Sequence, residues 1–305
     1  MKHNTEFIQS FMAHYDYPAE AVEIITEILN KLDEKKTFGK KFDTVFERFT
    51  SHRAGIDSEL LKKLSALAEQ MEYSPYTVYF VFLLSLTENL KNQYNLLGID
   101  EKIYWDTMLD LRCKMLECME CKGVPGSMNA PWLNGYFRLE RIAYGRFAYE
   151  VCRYDKEKPF TLKNGHTVKN GDIYIGFHIP SSGVSLTDEV RFDSYKKAYE
   201  RVKTLFPDGR VVFGCGSWLL FPKHREFLPE HSNILKFMND FEIVESDESN
   251  SFDDAWRIFG RYAGLPCEKL PKDTSLRKAY AEWLSAGNKA GGAFGLFMFD
   301  GDKII

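Results

Sequence analysis

The spacing of apolar side chains changes from a helical period to a strand period along this chain. From the start to residue 122, apolar residues recur every three or four positions, as Ala21, Ile25, Ile28 and Leu32 do. This period predicts amphipathic helices. Their predicted ends are prolines, capping side chains and glycines: Pro18, Asp57, Ser74, Pro75, Gly98, Asp100 and Gly123. The sequence therefore predicts a helical bundle over residues 1–122.

Residues 123–131 are dense in helix breakers and are predicted to be a linker. Beyond them, residues 136–153 and the segment around Asn164 and Gly165 are typical of antiparallel strands, because an Asn-Gly pair favours a hairpin turn. We therefore expect a second, mixed α/β domain over residues 132–305. The predicted fold class is α+β, with the helices segregated at the N-terminus.

The stretch from 172 to 241 is the most informative part of the second domain. It predicts a strand at 172–179, a Gly-containing turn, a helix ending near residues 207–209 and a strand at 211–213, followed by the small residues 214–217. A short helix capped by Ser232 and a strand at 241–244 come next. Parallel strands joined by a crossover helix bind ligands at their carboxyl ends, next to the helix N-terminus. The turn at 181–189 is thus a predicted anion site, although it could equally serve only as a connection.

The C-terminal part is predicted to alternate strands, loops and one helix. Acidic residues 245–250 are predicted to be a loop between two strands, the second of which includes Trp256–Phe259. A helix over 274–286 and a last strand over 294–299 complete the predicted domain.

Composition excludes several classes of function. The 305 residues carry a net charge of -4 with 28% charged residues, so the basic surface of a nucleic-acid-binding protein is not expected. The N-terminus lacks a signal-peptide core, and the longest apolar run is too short to span a bilayer. Six cysteines without a secretory signal favour reduced thiols in a cytoplasm.

The cysteine spacing raises the question of a metal cluster. Cys113, Cys118 and Cys121, with Cys152 later, have the spacing of a plant-type [2Fe–2S] site. On a helix, however, Cys118 lies about 140° round from Cys113, so the thiolates would not converge. His224 and His231 are separated by a proline, so no metal site is predicted.

At this point the order of elements resembles the GNAT N-acyltransferase fold: antiparallel strands, then strand, turn, helix, strand, helix and a closing strand pair. Specific phrases are similar to the two-domain GNAT-like N-acyltransferases of Firmicutes, which join a helical N-terminal domain to a GNAT-like C-terminal domain. The phrases are residues 136–141, 178–180 with Gly183 and Leu186, 215–220, 231–234 and 256–260. The resemblance implies an acetyl-CoA or other acyl-CoA co-substrate, no metal, and an amine acceptor that is a small molecule or a peptide.

The resemblance also implies where the acyl donor lies. The pantetheine arm would run between the strands at 172–179 and 211–217, past Gly214, Cys215 and Gly216, where small side chains allow close approach. Its pyrophosphate would lie over the turn. The implied CoA-binding residues are Ile179, Ser181, Ser182 and Gly183 at the turn, and Asn233 at the start of the short helix that Ser232 caps.

Two residues are candidates for proton transfer. His178, at the end of the central strand, is the predicted base, and Ser217 is the predicted donor to the leaving thiolate. A hydrogen-bonded structural histidine and a local cap are the alternative roles. The GNAT pyrophosphate signature is absent after Ile179, which motivates a second hypothesis, a catalytically inactive module that binds a metabolite or protein. A thiol hydrolase using Cys215 is a third.

Overall fold

The computed structural model describes residues 4–52, 55–249 and 251–305 and divides the chain into two compact units, residues 1–140 and 141–305. Unit 1 is helical. Its helices are α1 (Thr5–His14), α2 (Ala19–Glu34), α3 (Lys36–His52), α4 (Ser58–Met71), α5 (Pro75–Leu96), α6 (Glu101–Lys122) and the short α7 (Asn134–Phe137).

Helix α5 is the centre of unit 1. Its residues 80–87 are buried on all sides of the helix, as Phe80, Val81 and Leu83 are, and it contacts α1, α2, α3, α4 and α6. The helix ends follow the sequence, since the side chains of Asp57 and Asp100 cap α4 and α6. The prediction of a helical N-terminal region is confirmed.

The predicted linker instead belongs to unit 1. Gly126 lies so close to α5 that an added Cβ would be 2.7 Å from the backbone of Tyr76, and the Ser127 N–H donates to the Tyr76 carbonyl at 3.0 Å. Residues 130–137 then form a 3-10 turn and α7 rather than strand. The helix breakers at 123–131 therefore allow close packing on α5, and the boundary between the units follows Glu140.

Unit 2 is a six-stranded sheet with helices. Its strands are β1 (Arg141–Tyr144), β2 (Phe147–Arg153), β5 (Ile173–His178), β6 (Val211–Ser217), β7 (Glu242–Ser249) and β8 (Ala290–Phe299), and β3 (Phe160–Thr161) and β4 (Thr167–Val168) form a separate hairpin. The order in the sheet is β1-β2-β5-β6-β8-β7. Every neighbouring pair is antiparallel except β5 and β6.

The helices of unit 2 are α8 (Asp188–Val202), α9 (His224–Phe227), α10 (Asn233–Met238), α11 (Trp256–Phe259) and α12 (Ser275–Ser285). Helix α8 is the crossover between the two parallel strands, as the sequence predicts. Its Tyr195 packs on an aromatic core from one face of the sheet, including Phe147, Phe177, Phe213 and Phe297. This face is sealed, so a ligand can approach the sheet only from its ends or its opposite face.

Two predictions near the C-terminus were wrong. Residues 245–249 continue strand β7 and pair with β8. Backbone pairing with β8 therefore makes this segment a strand, although its acidic and serine side chains are typical of a loop. Trp256–Phe259 is helix α11, with Ile258 and Phe259 buried against α12 residues such as Tyr280. A four-residue apolar run has no period long enough to distinguish helix from strand.

Candidate active site

Strands β5 and β6 part from each other after a short parallel ladder. They pair only at Ile175 with Phe213 and at Gly176 with Gly214. Beyond this, β5 continues along β2 and β6 continues along β8. On the side facing the gap, no strand of the described chain pairs with either backbone. Unpaired N–H and C=O groups in such a gap can bind an extended ligand as a sheet binds an added strand.

The turn after β5 is held by side chains from three elements. Arg146, in the β1–β2 hairpin, donates from Nε to the carbonyl of Val184 at 3.1 Å, and Asn233, at the start of α10, donates from Nδ2 to Ser185 Oγ at 2.6 Å. The third clamp is Arg191 of α8, which donates to the carbonyl of another turn residue, Leu186, at 2.8 Å. The turn is thus a defined structure, and Asn233 lies against it.

Gly183 has a conformation that ordinary side chains avoid. Its φ is +77°, and an added Cβ would meet nothing within 4 Å. Ser182 Oγ accepts a long hydrogen bond, 3.5 Å, from the Val184 N–H. The glycine is therefore required for its backbone angle.

Arg191 and Asp240 form a buried ion pair beneath the turn. The guanidinium donates to both carboxylate oxygens at 2.7 and 3.0 Å, with 2% and 7% of the two side chains exposed. Burial opposes the charged guanidinium, but the hydrogen bonds and charge of Asp240 outweigh it and raise the pKa of Arg191. Tyr195 also donates to Asp240. The pair fixes α8 to the end of α10.

His178 lies on the face of the sheet opposite α8, in a chain of charged partners. Its Nε2 is 2.6 Å from one oxygen of Glu150 on β2, and Arg141 on β1 donates to the other oxygen from Nε at 3.0 Å and Nη2 at 2.9 Å. Both His178 and Glu150 are about one-fifth exposed, at 23% and 22%. Burial raises the pKa of Glu150, but His178 and Arg141 outweigh it, so the pKa is lowered and the carboxylate stays ionised.

This arrangement can orient and charge an imidazole. An ionised carboxylate fixes the ring and stabilises the imidazolium that forms when the ring accepts a proton. The hydrogen bond of His178 fits the structural role considered from the sequence. Its partner, the Glu150 carboxylate, is also the group that a histidine needs in order to act as a general base.

The three small residues of β6 have different surroundings. At Gly214 a Cβ would be 2.7 Å from the ring of Tyr174 and 2.8 Å from Leu296, so this glycine accommodates the Tyr174 ring. Cys215 points into the core beneath α8, where burial raises the pKa of its thiol to about 12. Gly216 is exposed, and a Cβ added there would be 4.0 Å from the nearest atom, on the ring of Phe294. Of the three, Gly216 alone offers open space, and the Cys215 thiol is unsuited to nucleophilic catalysis.

Ser217 ends β6 and caps the turn that follows. Its Oγ accepts from the N–H of Leu219 at 3.1 Å, which is the local capping role considered from the sequence. The serine retains its own O–H for donation. Ser217 also lines a cavity of about 650 Å³ at the ends of β6, β7 and β8.

Comparison with known proteins identifies the family of this chain. Residues 138–297 match the model of the GNAT-like C-terminal domain, and residues 6–139 match that of the N-acyltransferase N-terminal domain. The chain belongs to the two-domain GNAT-like N-acyltransferases. The two matched segments meet near Glu140, where the structure separates the two units. No curated protein matches the chain.

Several solved structures share the fold of this GNAT-like acyltransferase. One is an acyltransferase in complex with decanoyl-CoA and teicoplanin, at 20% identity and a TM-score of 0.71, covering 96% of this chain and 88% of that one. Another is an acyltransferase in complex with decanoyl-CoA, at 21% identity and a TM-score of 0.60, covering 95% and 98%. The fold class predicted from sequence is confirmed.

Sequence reasoning missed four residues of the site in this GNAT-like acyltransferase: Arg141, Glu150, Arg191 and Asp240. Glu150 lies in the strand FAYEVCR, where a carboxylate among apolar residues was a usable signal. Arg191 lies in the same helix turn as the predicted ligand site. The side chains that pair with these residues come from distant segments of the chain, and a single sequence does not show which segments lie side by side.

The comparisons leave other predictions as they stood. The predicted roles of His178, Ser217 and the CoA-binding residues remain predictions. In the described part of the chain, no helix combines the length and apolarity needed to cross a bilayer. Among the described residues, no three His, Cys, Asp or Glu side chains are grouped so that they could hold a metal ion.

Proposed function

We propose that this protein transfers the acyl group of an acyl-CoA, with acetyl-CoA as one candidate donor, to a primary amine. The observation that carries the proposal is the gap between β5 and β6, which opens beside the His178–Glu150–Arg141 chain. The solved structures that share the fold contain decanoyl-CoA, which supports an acyl-CoA donor.

The pantetheine arm lies in the gap and hydrogen-bonds to the strand backbones beyond Gly176 and Gly214. Its pyrophosphate lies over the turn, to which Arg146 and Arg191 both donate. Arg191 is buried in its ion pair with Asp240, which makes Arg146 the proposed cation for the phosphates. The first turn of α8 carries Asp188 and Glu189, which offset the positive end of the helix dipole. Arg146 and the backbone N–H groups of the turn therefore provide the attraction for the phosphates.

His178 accepts a proton from the acceptor ammonium, and Glu150 stabilises the resulting imidazolium. The neutral amine attacks the thioester carbon, and a backbone N–H facing the gap stabilises the oxyanion. The C–N bond forms and the C–S bond breaks, and the thiolate leaves as CoA after taking a proton from the Ser217 hydroxyl, the proposed donor. The nitrogen loses its second proton, which restores the Ser217 hydroxyl. The products are an amide and free CoA.

Calorimetric titration with acetyl-, octanoyl- and decanoyl-CoA tests donor binding, and loss of thioester absorbance with a panel of amines tests transfer. We expect binding and amide formation. His178→Ala should lower kcat by about 10²–10⁴ while CoA affinity changes little, because a general base contributes that much. His166→Ala, in the β3–β4 turn, is the matched histidine control.

The outcomes separate the hypotheses. Binding without transfer to any amine would favour the inactive module. If no CoA ester binds, the proposal is wrong. Equal kcat for His178→Ala and wild type would remove His178 from the reaction while leaving the donor site in place.

A further inference from the structure

We propose that the ring of Tyr174 limits the length of the acyl group, so that this protein uses donors with short acyl chains, such as acetyl-CoA, in preference to octanoyl-CoA. This rests on the proposed function, because it names the class of donor for the same reaction. The residue lies where β5 and β6 begin to part, which is the inner end of the gap assigned to the pantetheine arm.

The acyl group of a bound donor would reach this inner end. The pyrophosphate is assigned to the turn around Gly183, and the ladder between β5 and β6 ends at Gly176 and Gly214. At about 3.3 Å per residue, the end of β5 and the start of the turn span roughly 15–20 Å. An extended pantetheine arm has a comparable length. The thioester at its end therefore lies near the two paired glycines.

From there an acyl chain could leave the plane of the sheet toward either face. The face beneath α8 is closed by the aromatic core, in which Phe177 and Phe213 are at most 3% exposed. The chain must therefore turn to the opposite face, along which Tyr174, Gly176 and His178 alternate on β5.

On this opposite face the Tyr174 ring already occupies the space beside the gap. A Cβ added at Gly214 would be 2.7 Å from the ring and 2.8 Å from Leu296, so the ring lies directly on the glycine. Phe294 meets the ring edge-on, with the two ring centroids 5.6 Å apart. The ring is thus packed between β6 and the side chains of β8.

The tip of the ring is also held in place. The Tyr174 O–H donates to the Cys152 sulfur, and that sulfur would lie 2.7 Å from a Cβ added at Gly176. Burial raises the pKa of Tyr174, so the hydroxyl stays uncharged. Because the ring is held on its sides and at its tip, it cannot move aside without leaving a void in a close-packed layer.

Behind the ring lies an apolar cluster formed by the sheet and the β3–β4 hairpin. Its buried members are Tyr154, Leu162, Val168, Val212, Leu296 and Met298, and Tyr174 packs against them. Along this face of β6, Val212 belongs to the cluster, Gly214 carries the ring and Gly216 is open. The ring therefore separates the open part of the gap from apolar surroundings. A short acyl group ends before the ring, whereas a longer one would have to displace it.

Calorimetric titration of CoA, acetyl-CoA and octanoyl-CoA, without any acceptor, tests the role of the ring. Wild type should bind octanoyl-CoA at least tenfold more weakly than acetyl-CoA. Tyr174→Ala should tighten octanoyl-CoA binding at least tenfold, because burial of about two methylene groups is sufficient for that change. Its affinity for acetyl-CoA should stay within about twofold of wild type.

Two control variants separate the ring from other effects of substitution. Tyr174→Phe keeps the ring without its hydroxyl and should retain the wild-type preference. Tyr199→Ala removes another half-buried tyrosine, on α8 at the closed face, and should also retain it. Should Tyr174→Ala not fold, Tyr174→Leu decides, because leucine keeps apolar packing but is shorter than the ring, and octanoyl-CoA should then bind more tightly than to wild type.

Three results would overturn the role of Tyr174 alone: equal affinity of wild type for acetyl-CoA and octanoyl-CoA, an unchanged preference in the folded Ala or Leu variant, or the same change in Tyr199→Ala. If wild type binds CoA and neither ester, or none of the three compounds, the proposed function fails and the limit on acyl length fails with it. Binding of the esters without regard to chain length would leave the proposed function in place.

Discussion

Replacement of Gly183 tests the turn that the proposed mechanism assigns to the CoA phosphates. Its φ of +77° is available to glycine, whereas an L-residue with a β-carbon loses roughly 1–2 kcal/mol there. Since nothing lies within 4 Å of an added Cβ, this backbone term should account for most of the effect of Gly183→Ala. Gly183→Val adds a stiff β-branched side chain at the same angle.

The free energy lost on replacing Gly183 should appear as weaker CoA binding, as lower stability of the fold, or as both. If the free turn relaxes to another conformation, CoA must restore it, and 1–2 kcal/mol corresponds to about five- to thirtyfold weaker binding. If the clamps from Arg146, Asn233 and Arg191 hold the turn in place, the same free energy appears as a lower melting temperature. Gly183→Asn should keep most of the wild-type behaviour, because asparagine tolerates the left-handed region.

The measurements are CoA titration and thermal unfolding of wild type and the Ala, Val and Asn variants. Ser182→Ala is the neighbouring control and should change affinity less than about twofold, because its hydrogen bond is long at 3.5 Å. Unchanged affinity and unchanged melting in both Gly183→Ala and Gly183→Val would refute the backbone argument and separate the phosphate site from this turn.

Three further predictions concern stability. Asp240→Asn should lower the free energy of unfolding, measured with urea, by about 3–5 kcal/mol, because it leaves a buried arginine without its counter-charge. Tyr195→Phe should lower it by about 1 kcal/mol, and equal effects of the two substitutions would contradict the prediction. Burial lowers the pKa of His224 from its ordinary value of 6.5 to about 4. As the pH falls below 6.5, this histidine therefore binds a proton in the unfolded chain before it does so in the folded protein. Stability should therefore drop by about 2 kcal/mol between pH 7 and 5, and His224→Gln should remove that part of the pH dependence. Gly126→Ala should destabilise by about 1–3 kcal/mol through overlap with the α5 backbone, and Gly264→Ala, where a Cβ meets nothing within 4 Å, should be neutral.

The sequence predicted elements where one local signal was sufficient. Asp57 and Asp100, which were predicted as helix ends, are caps in the structure. Alternation also located β5, because it is flanked by a turn on each side. These features depend on a few neighbouring residues, so a single sequence contains the information.

Features that depend on distant partners could not be predicted in this way. The strand character of 245–249 comes from pairing with β8, and its acidic side chains gave no local indication of it. The role of Glu150 depends on register, because it places the carboxylate between Arg141 and His178. Gly214 was interpreted as space for a ligand because the ring of Tyr174, which occupies that space, is far away in sequence.

Strand β7 also affects how the protein behaves at high concentration. It is the outer strand of the sheet, with one side of its backbone without a neighbouring strand in the described chain. Such an edge can pair with the edge of another molecule and begin aggregation. Charged side chains on an edge strand oppose such pairing, and β7 carries Asp247 together with Glu245 and Glu248, which form ion pairs with Lys156 and Lys223. Substitutions that replace these charged side chains by neutral ones should therefore reduce the concentration at which the protein remains dispersed.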